Sequence, residues 1–158
     1  MTGFPTEPIS RRRRQVLAAG AGLAAAVLMR PAAATPTELA TAIDAFAGGA
    51  PVRPGKVTLA VAALVDNGNT VPVTVSVESP MTPADHVAAI ALFNERNPER
   101  DVARFRLTPR AGKASVSTRI RLATSQKLVA VAQMSDGTYW SQTAEVVVVL
   151  AACVEGEG

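Results

Sequence analysis

The chain has one cysteine and one histidine among its 158 residues, and these two scarcities remove most of the usual site chemistry. With only Cys153, no internal disulfide can form. His86 has no cysteine or second histidine near it, so a zinc site of the common kind is not expected. No serine sits in a nucleophile-elbow pattern, which leaves a Ser-His-Asp hydrolase without an anchor. Phosphate loops, dinucleotide fingerprints and EF-hand loops are also missing. No cofactor or metal of its own is therefore expected. Long hydrophobic runs are missing too. The stretch Val16 to Met29 is shorter and more weakly apolar than the roughly 20 residues a spanning helix needs, so no membrane anchor is expected. There is no internal repeat.

What the N-terminus does have is an export signal in three parts. Arg11 to Arg14 end a polar start, Val16 to Met29 form the apolar stretch, and Ala32-Ala33-Ala34 offers an A-x-A cleavage site before Thr35. Arg13-Arg14-Gln15-Val16-Leu17 is similar to a twin-arginine signal, and Arg30 is a common companion of that pathway. An ordinary Sec signal with extra charge is the competing reading. Residues 1–34 are thus expected to be removed, and the protein is expected in the periplasm. Cleavage also reverses the charge argument. The whole chain carries 16 Lys and Arg against 13 Asp and Glu. Removing Arg11–Arg14, Arg30 and Glu7 leaves 11 against 12. The basic character belongs to the signal and gives no reason to expect nucleic acid as a partner. The twin-arginine pathway carries folded cargo. With no cofactor motif to explain folding first, the remaining reason is to leave together with a partner that has no signal.

The mature chain of 124 residues is the size of one domain. Residues 35–49 predict a short amphipathic helix. Thr35-Pro36-Thr37-Glu38 resembles a capping box, Leu39, Ile43 and Phe46 share one face, and Gly48-Gly49 ends it. Pro51 to Gly55 reads as a linker. The period then becomes two. Val57 to Val65 and Val71 to Val77 predict two antiparallel strands joined by a turn at Asp66-Asn67-Gly68-Asn69. Further strands are expected at His86–Asn94, Val102–Leu107, Ala114–Leu122, Leu128–Met134 and Tyr139–Leu150. About seven short strands with turn chemistry between them predict an all-β, immunoglobulin-like antiparallel sandwich over residues 50–150. Val146 to Leu150 is apolar on both faces and is expected in a central or covered position. Arg104, Arg106, Arg119 and Arg121 point outward, as a basic stripe or, more simply, as solvated and edge-protecting residues. Tyr139-Trp140 suits an interface anchor or the sandwich core equally.

Residues 151–158 are then a short arm with the one thiol, Cys153, five residues from the C-terminus. An odd cysteine in an exported chain points to intermolecular pairing or a reactive thiol. Leu150-Ala151-Ala152-Cys153 spells a lipobox, but a lipidated cysteine follows an N-terminal signal, and this one lies at the opposite end. Glu155, Glu157 and the terminal carboxylate disfavour the thiolate. The arm therefore reads as a handle for other active sites rather than as a catalyst. Two functions stay open on the residues alone: a covalent carrier, and a periplasmic interaction module whose terminal cysteine forms an intermolecular disulfide.

Several linked segments resemble one family. They are Asp66 to Val75, Ser79-Pro80-Met81-Thr82 with His86, Phe93 to Pro98, Pro109 to Gly112, Val116 to Ala123, and Ala132 to Gly137. Together they are similar to SoxY, the sulfur-carrier subunit of the periplasmic thiosulfate-oxidising Sox system. The resemblance implies an immunoglobulin-like sandwich paired with a SoxZ-like subunit in a heterodimer. It implies sulfur attachment at Cys153, not enzyme activity of the chain itself. It also implies three partner enzymes: a haem c enzyme that couples thiosulfate to the thiol, a hydrolase that releases sulfate, and a sulfane dehydrogenase. One departure stands out. The family's end is Gly-Gly-Cys-Gly-Gly, whereas here it is Ala151-Ala152-Cys153-Val154, with glycine only at 156 and 158. Alanine and valine narrow the backbone freedom that glycine gives. Partners shaped for a bulkier tail and an altered cargo or efficiency, loss of carriage included, both stay open.

Overall fold

The computed structural model describes residues 37–150; Arg13, Arg14 and Cys153 lie outside the described residues. The first element of the described residues is helix α1, Glu38–Ala47. Its cap is Thr37, whose hydroxyl accepts from the Ala40 amide, two residues later than the Thr35 cap expected from sequence. Gly48, at φ 62°, closes it in the left-handed conformation that glycine adopts without penalty. Leu39, Ala42, Ile43 and Phe46 form its buried face.

Nine strands follow: β1 (Val52–Pro54), β2 (Val57–Ala60), β3 (Leu64–Asn67), β4 (Val71–Val77), β5 (Val87–Asn94), β6 (Asp101–Arg106), β7 (Ser115–Ile120), β8 (Gln126–Met134) and β9 (Tyr139–Leu150). The larger sheet has the order β1-β9-β8-β5-β6, with β3 also on β9; the smaller is β2-β4-β7. The result is an all-β, immunoglobulin-like sandwich. Alternation explains its core. Val71, Val73, Val75 and Val77 of β4 face Val87, Ile90 and Leu92 of β5 and Leu128, Ala130 and Ala132 of β8, all buried in one cluster. A second cluster lies on the outer face of the larger sheet. There α1 covers Ala91, Phe93, Val129, Val131 and Tyr139, with Phe46 edge-on to Phe93 and Tyr139 at 5.9 and 5.8 Å.

Three expectations are corrected. The Pro51–Gly55 linker contains β1, which pairs in parallel with Tyr139–Ser141 of β9. The single strand expected over Val57–Val65 is two. β2 pairs antiparallel with β4 as expected, but β3 crosses to the other sheet and pairs in parallel with Val147–Leu150. Asp66-Asn67 accordingly ends a strand, and the turn that follows joins two sheets instead of closing a hairpin. The third correction concerns Val146 to Leu150. Val146 is 2% exposed and Val148 packs on the core, but Val147, Val149 and Leu150 are 53%, 60% and 65% exposed. Past Val146 the stretch is paired with β3 along one edge and is bare on its outer face.

Pro72 is tolerated because β2 reaches only to Thr74, so β4 has a neighbour on one edge alone at that point.

Candidate functional site

Cys153 follows Leu150 by three positions and lies outside the described residues, so the described part of the site is the end of β9. The β8 ladder holds β9 from Tyr139 to Val146, where it stops opposite Gln126. Past that point each edge is held differently. Successive amides of an extended strand point to opposite edges. The Val147 amide donates to the Ala63 carbonyl at 2.8 Å and the Gly68 amide donates to the Leu150 carbonyl at 2.9 Å, so one edge is tied to β3 and its turn. On the other edge Ser125 takes over. Its hydroxyl accepts from the Val148 amide at 2.9 Å and lies 3.5 Å from the Val148 carbonyl.

Ser125 is in turn presented by a loop that a buried amide network fixes. Asn94 and Gln126 are 1% and 5% exposed, the two buried polar residues among those described. The Gln126 amide accepts from the Arg96 amide at 2.8 Å and donates to Asn97 Oδ1 and to the Thr124 carbonyl. Asn97 Oδ1 also accepts from the Ala123 amide, and its Nδ2 donates to the Arg121 carbonyl at 2.7 Å. Asn94 accepts from the Asn97 amide and donates to the Glu99 carbonyl. Removing one partner of such a buried set costs about 1–3 kcal/mol for the group left unpaired. The loop at residues 121–125 is thereby pinned at three backbone groups, a rigid base beside the last residues of β9.

The bare face at this end is apolar. Leu64 is 61% exposed and registers with Val147, so the two share a face, and Val149 continues it two residues on. With Leu150 these are the large hydrophobic residues left exposed among those described. An exposed patch of this kind marks an interaction site more often than chance placement does.

The other sequence candidates do not gather here. His86 lies at the start of β5, its amide on Ser135 Oγ and its Nδ1 3.2 Å from the Thr82 carbonyl. Arg104 and Arg106 are on β6, while Arg119 and Arg121 belong to β7 and the loop after it, in the other sheet; they form no common stripe. Arg104 instead lies over the Phe46 ring at 5.3 Å and pairs with Asp101. Tyr139 packs under α1, and Trp140 packs against the core with Lys56 4.9 Å from its ring centroid. Among the described residues no group of three or more His, Cys, Asp or Glu is placed to hold a metal ion. Sequence reasoning missed Asn94, Asn97, Ser125 and Gln126. The available signal was a polar residue closing or opening an otherwise apolar strand, as Asn94 does after Phe93 and Gln126 does before Leu128.

The fold defines an immunoglobulin-like sandwich whose last strand, tied at its end by β3 and Ser125, directly precedes in sequence the segment with the one cysteine. The chain belongs to the SoxY family: the family profile described as sulfur oxidation protein SoxY matches residues 43–153, a range that ends on Cys153. The sulfur carrier protein SoxY from Chlorobium limicola f thiosulfatophilum is 32% identical, with a TM-score of 0.60, and the match covers 70% of this chain and 96% of that one. Family membership makes this chain a carrier in sulfur oxidation. Superoxide reductases share the fold alone. The one from Ignicoccus hospitalis is 21% identical with a TM-score of 0.53, over 60% of this chain and 80% of that one. The one from Nanoarchaeum equitans is 14% identical with a TM-score of 0.52, over 61% of this chain and all of that one. No match was found among curated protein sequences.

Proposed function

We propose that the chain carries sulfur intermediates on the thiol of Cys153 during periplasmic thiosulfate oxidation, as the signal-bearing half of a heterodimer with a SoxZ-like subunit. The observation that carries this is the family match extending through the chain's one cysteine. In the first step the thiol and thiosulfate form a sulfur–sulfur bond. The products are Cys–S–S–SO₃⁻, one proton and two electrons, and the electrons pass to the haem c coupling enzyme. In the second step water attacks the sulfonate sulfur in the hydrolase, releasing sulfate and a proton and leaving Cys–S–SH. The sulfane dehydrogenase then takes six electrons from the remaining sulfur while three waters supply oxygen, giving Cys–S–SO₃⁻ and seven protons, and hydrolysis of that group releases a second sulfate and a proton and restores the thiol.

This chain's part is to present the thiol. Glu155 and Glu157 beside it oppose ionisation, so activation falls to the partner sites, which is consistent with a carrier that is not itself an enzyme. The arm begins on a strand end tied at both edges, so its reach is set from a fixed point. Three residues from Leu150 to Cys153 span at most about 10 Å. The bare face of Leu64, Val147 and Val149, with Leu150 exposed at the strand's end, supports a permanent apolar partner, since obligate interfaces are the more hydrophobic ones. Arg13 and Arg14 direct export of the folded pair.

The test is intact-mass spectrometry of the mature protein with thiosulfate and the cognate haem enzyme. The expected result is a thiosulfate adduct that Cys153→Ser abolishes. A chain that keeps its bare mass under turnover, or forms only a disulfide dimer indifferent to thiosulfate, would contradict the proposal.

A further inference from the structure

We propose that Ser125, held in place by the Asn94–Asn97–Gln126 network, is a positioning residue for sulfur loading; the inference rests on the carrier function proposed above. The end of β9 presents a mechanical problem. A ladder between two strands fixes each residue through backbone groups on the neighbour, but the β8 ladder ends at Gln126 opposite Val146. Four residues of β9 remain before the arm. On the β3 edge they are tied by Ala63 and Gly68. On the β8 edge the Ser125 hydroxyl meets both polar groups of Val148. A hydroxyl can accept one hydrogen bond and donate another, so this one side chain replaces the missing neighbour residue. An alanine at position 125 would leave that edge of Val148 to solvent, with no group of the protein to hold it.

The loop that presents Ser125 is not left to its own flexibility. Its Arg121 carbonyl, Ala123 amide and Thr124 carbonyl all bond to the side chains of Asn97 and Gln126. Gln126 follows Ser125 directly and is buried. The hydroxyl therefore sits one residue from the best-anchored point of that end of the sheet.

Reach gives the device its consequence. With β9 intact to Leu150, three residues separate the root from Cys153, a leash of about 10 Å. If β9 frays back to Val146, seven residues do so, and the leash grows to about 23 Å. The effective concentration of a tethered group falls roughly as the −3/2 power of tether length, so this fraying dilutes the thiol about fourfold at a docked active site. A loosened root thus lowers loading by a large partner, whose site must be met in one geometry. It leaves attack by a small reagent unchanged, because that reagent reaches the thiol anywhere.

The experiment compares wild type, Ser125→Ala and Ser125→Thr as mature protein co-produced with its partner subunit. Loading is followed with thiosulfate and the cognate haem enzyme, alkylation of Cys153 with iodoacetamide, and opening of the root by amide hydrogen exchange at Val148. For Ser125→Ala we expect exchange at Val148 to rise about fivefold, the effect of losing one hydrogen bond. Loading kcat/KM should fall, chiefly through KM, with the fourfold of a permanently open root as its ceiling. Alkylation should proceed at the wild-type rate, and Ser125→Thr should restore both exchange and loading. Wild-type loading efficiency in Ser125→Ala would overturn the proposal, as would a loss that Ser125→Thr does not recover or that alkylation shares. If wild type itself fails to load, the carrier function falls and this inference with it, an outcome visible without any variant.

Discussion

The two halves of β9 are built on one pattern and finished differently. Each half has a short parallel strand on one edge, β1 against Tyr139–Ser141 and β3 against Val147–Leu150. Each presents alternate residues to the same outer face of the sheet. At the Tyr139 end that face is covered by α1, with Phe46 edge-on to Tyr139 and Phe93. At the Leu150 end it is open, and Val147, Val149 and Leu64 stand in solvent. The one described α-helix covers the Tyr139 half. The covered half buries its outer face within the chain, whereas the bare half leaves its outer face for the partner proposed above.

Substitutions at the two ends should part company. Phe93→Ala, under the helix, removes a fully buried ring from the covered end. It should cost about 3–5 kcal/mol, read as a fall in the urea midpoint of the isolated chain. Val149→Lys, at the bare end, should leave that midpoint within about 0.5 kcal/mol of wild type while weakening association with the partner subunit by about tenfold or more, measured by titration. If Val149→Lys unfolds the isolated chain as Phe93→Ala does, the two halves are not different in kind. The Ser125 series sharpens the comparison within the bare half, where one hydroxyl does what a whole strand does in the covered half.

The smallest effect lies in the turn that leads into the covered half. Asp136 accepts from the Thr138 hydroxyl and from the Thr138 amide, and Lys56 adds a positive charge; these hold its carboxyl below the ordinary aspartate value. A depressed folded value means that the charged form favours the folded state. The contribution is complete above the unfolded value of about 3.9 and is lost as pH falls from there through the folded value. Asp136→Asn should flatten the acid limb of a stability–pH curve slightly in that window and leave neutral-pH sulfur loading unchanged. A changed loading rate would show that the covered end reaches the arm after all.

Much of this was legible in the residues, for reasons that also explain what was not. Alternation marks a face, so β4, β5, β7, β8 and β9 could be placed from their valines, leucines and isoleucines. It does not name the neighbouring strand. Val57, Leu59, Val61 and Val65 keep one parity through the break between β2 and β3, so the change of sheet left no trace in the pattern. β1 is three residues long between prolines and glycine, too short for any period to show. Thr35 and Thr37 both suit a cap, and only the hydrogen bond to Ala40 chooses between them. The apolar run Val146–Leu150 reads as a covered strand because a run of apolar residues does not say which of its faces the chain itself covers. The amide network escaped because its members come from the ends of β5 and β8 and the loop between β5 and β6, apart in sequence until the sandwich closes. Cys153, the site expected from sequence, lies outside the described residues.

The most direct measurement is peptide mapping of the mature protein after incubation with thiosulfate and the cognate haem enzyme. The account predicts a sulfur adduct confined to the C-terminal peptide that contains Cys153, formed only with thiosulfate and removed by a thiol reductant. A C-terminal peptide that stays unmodified under turnover, or that appears only as a disulfide-linked dimer whether or not thiosulfate is present, would contradict it.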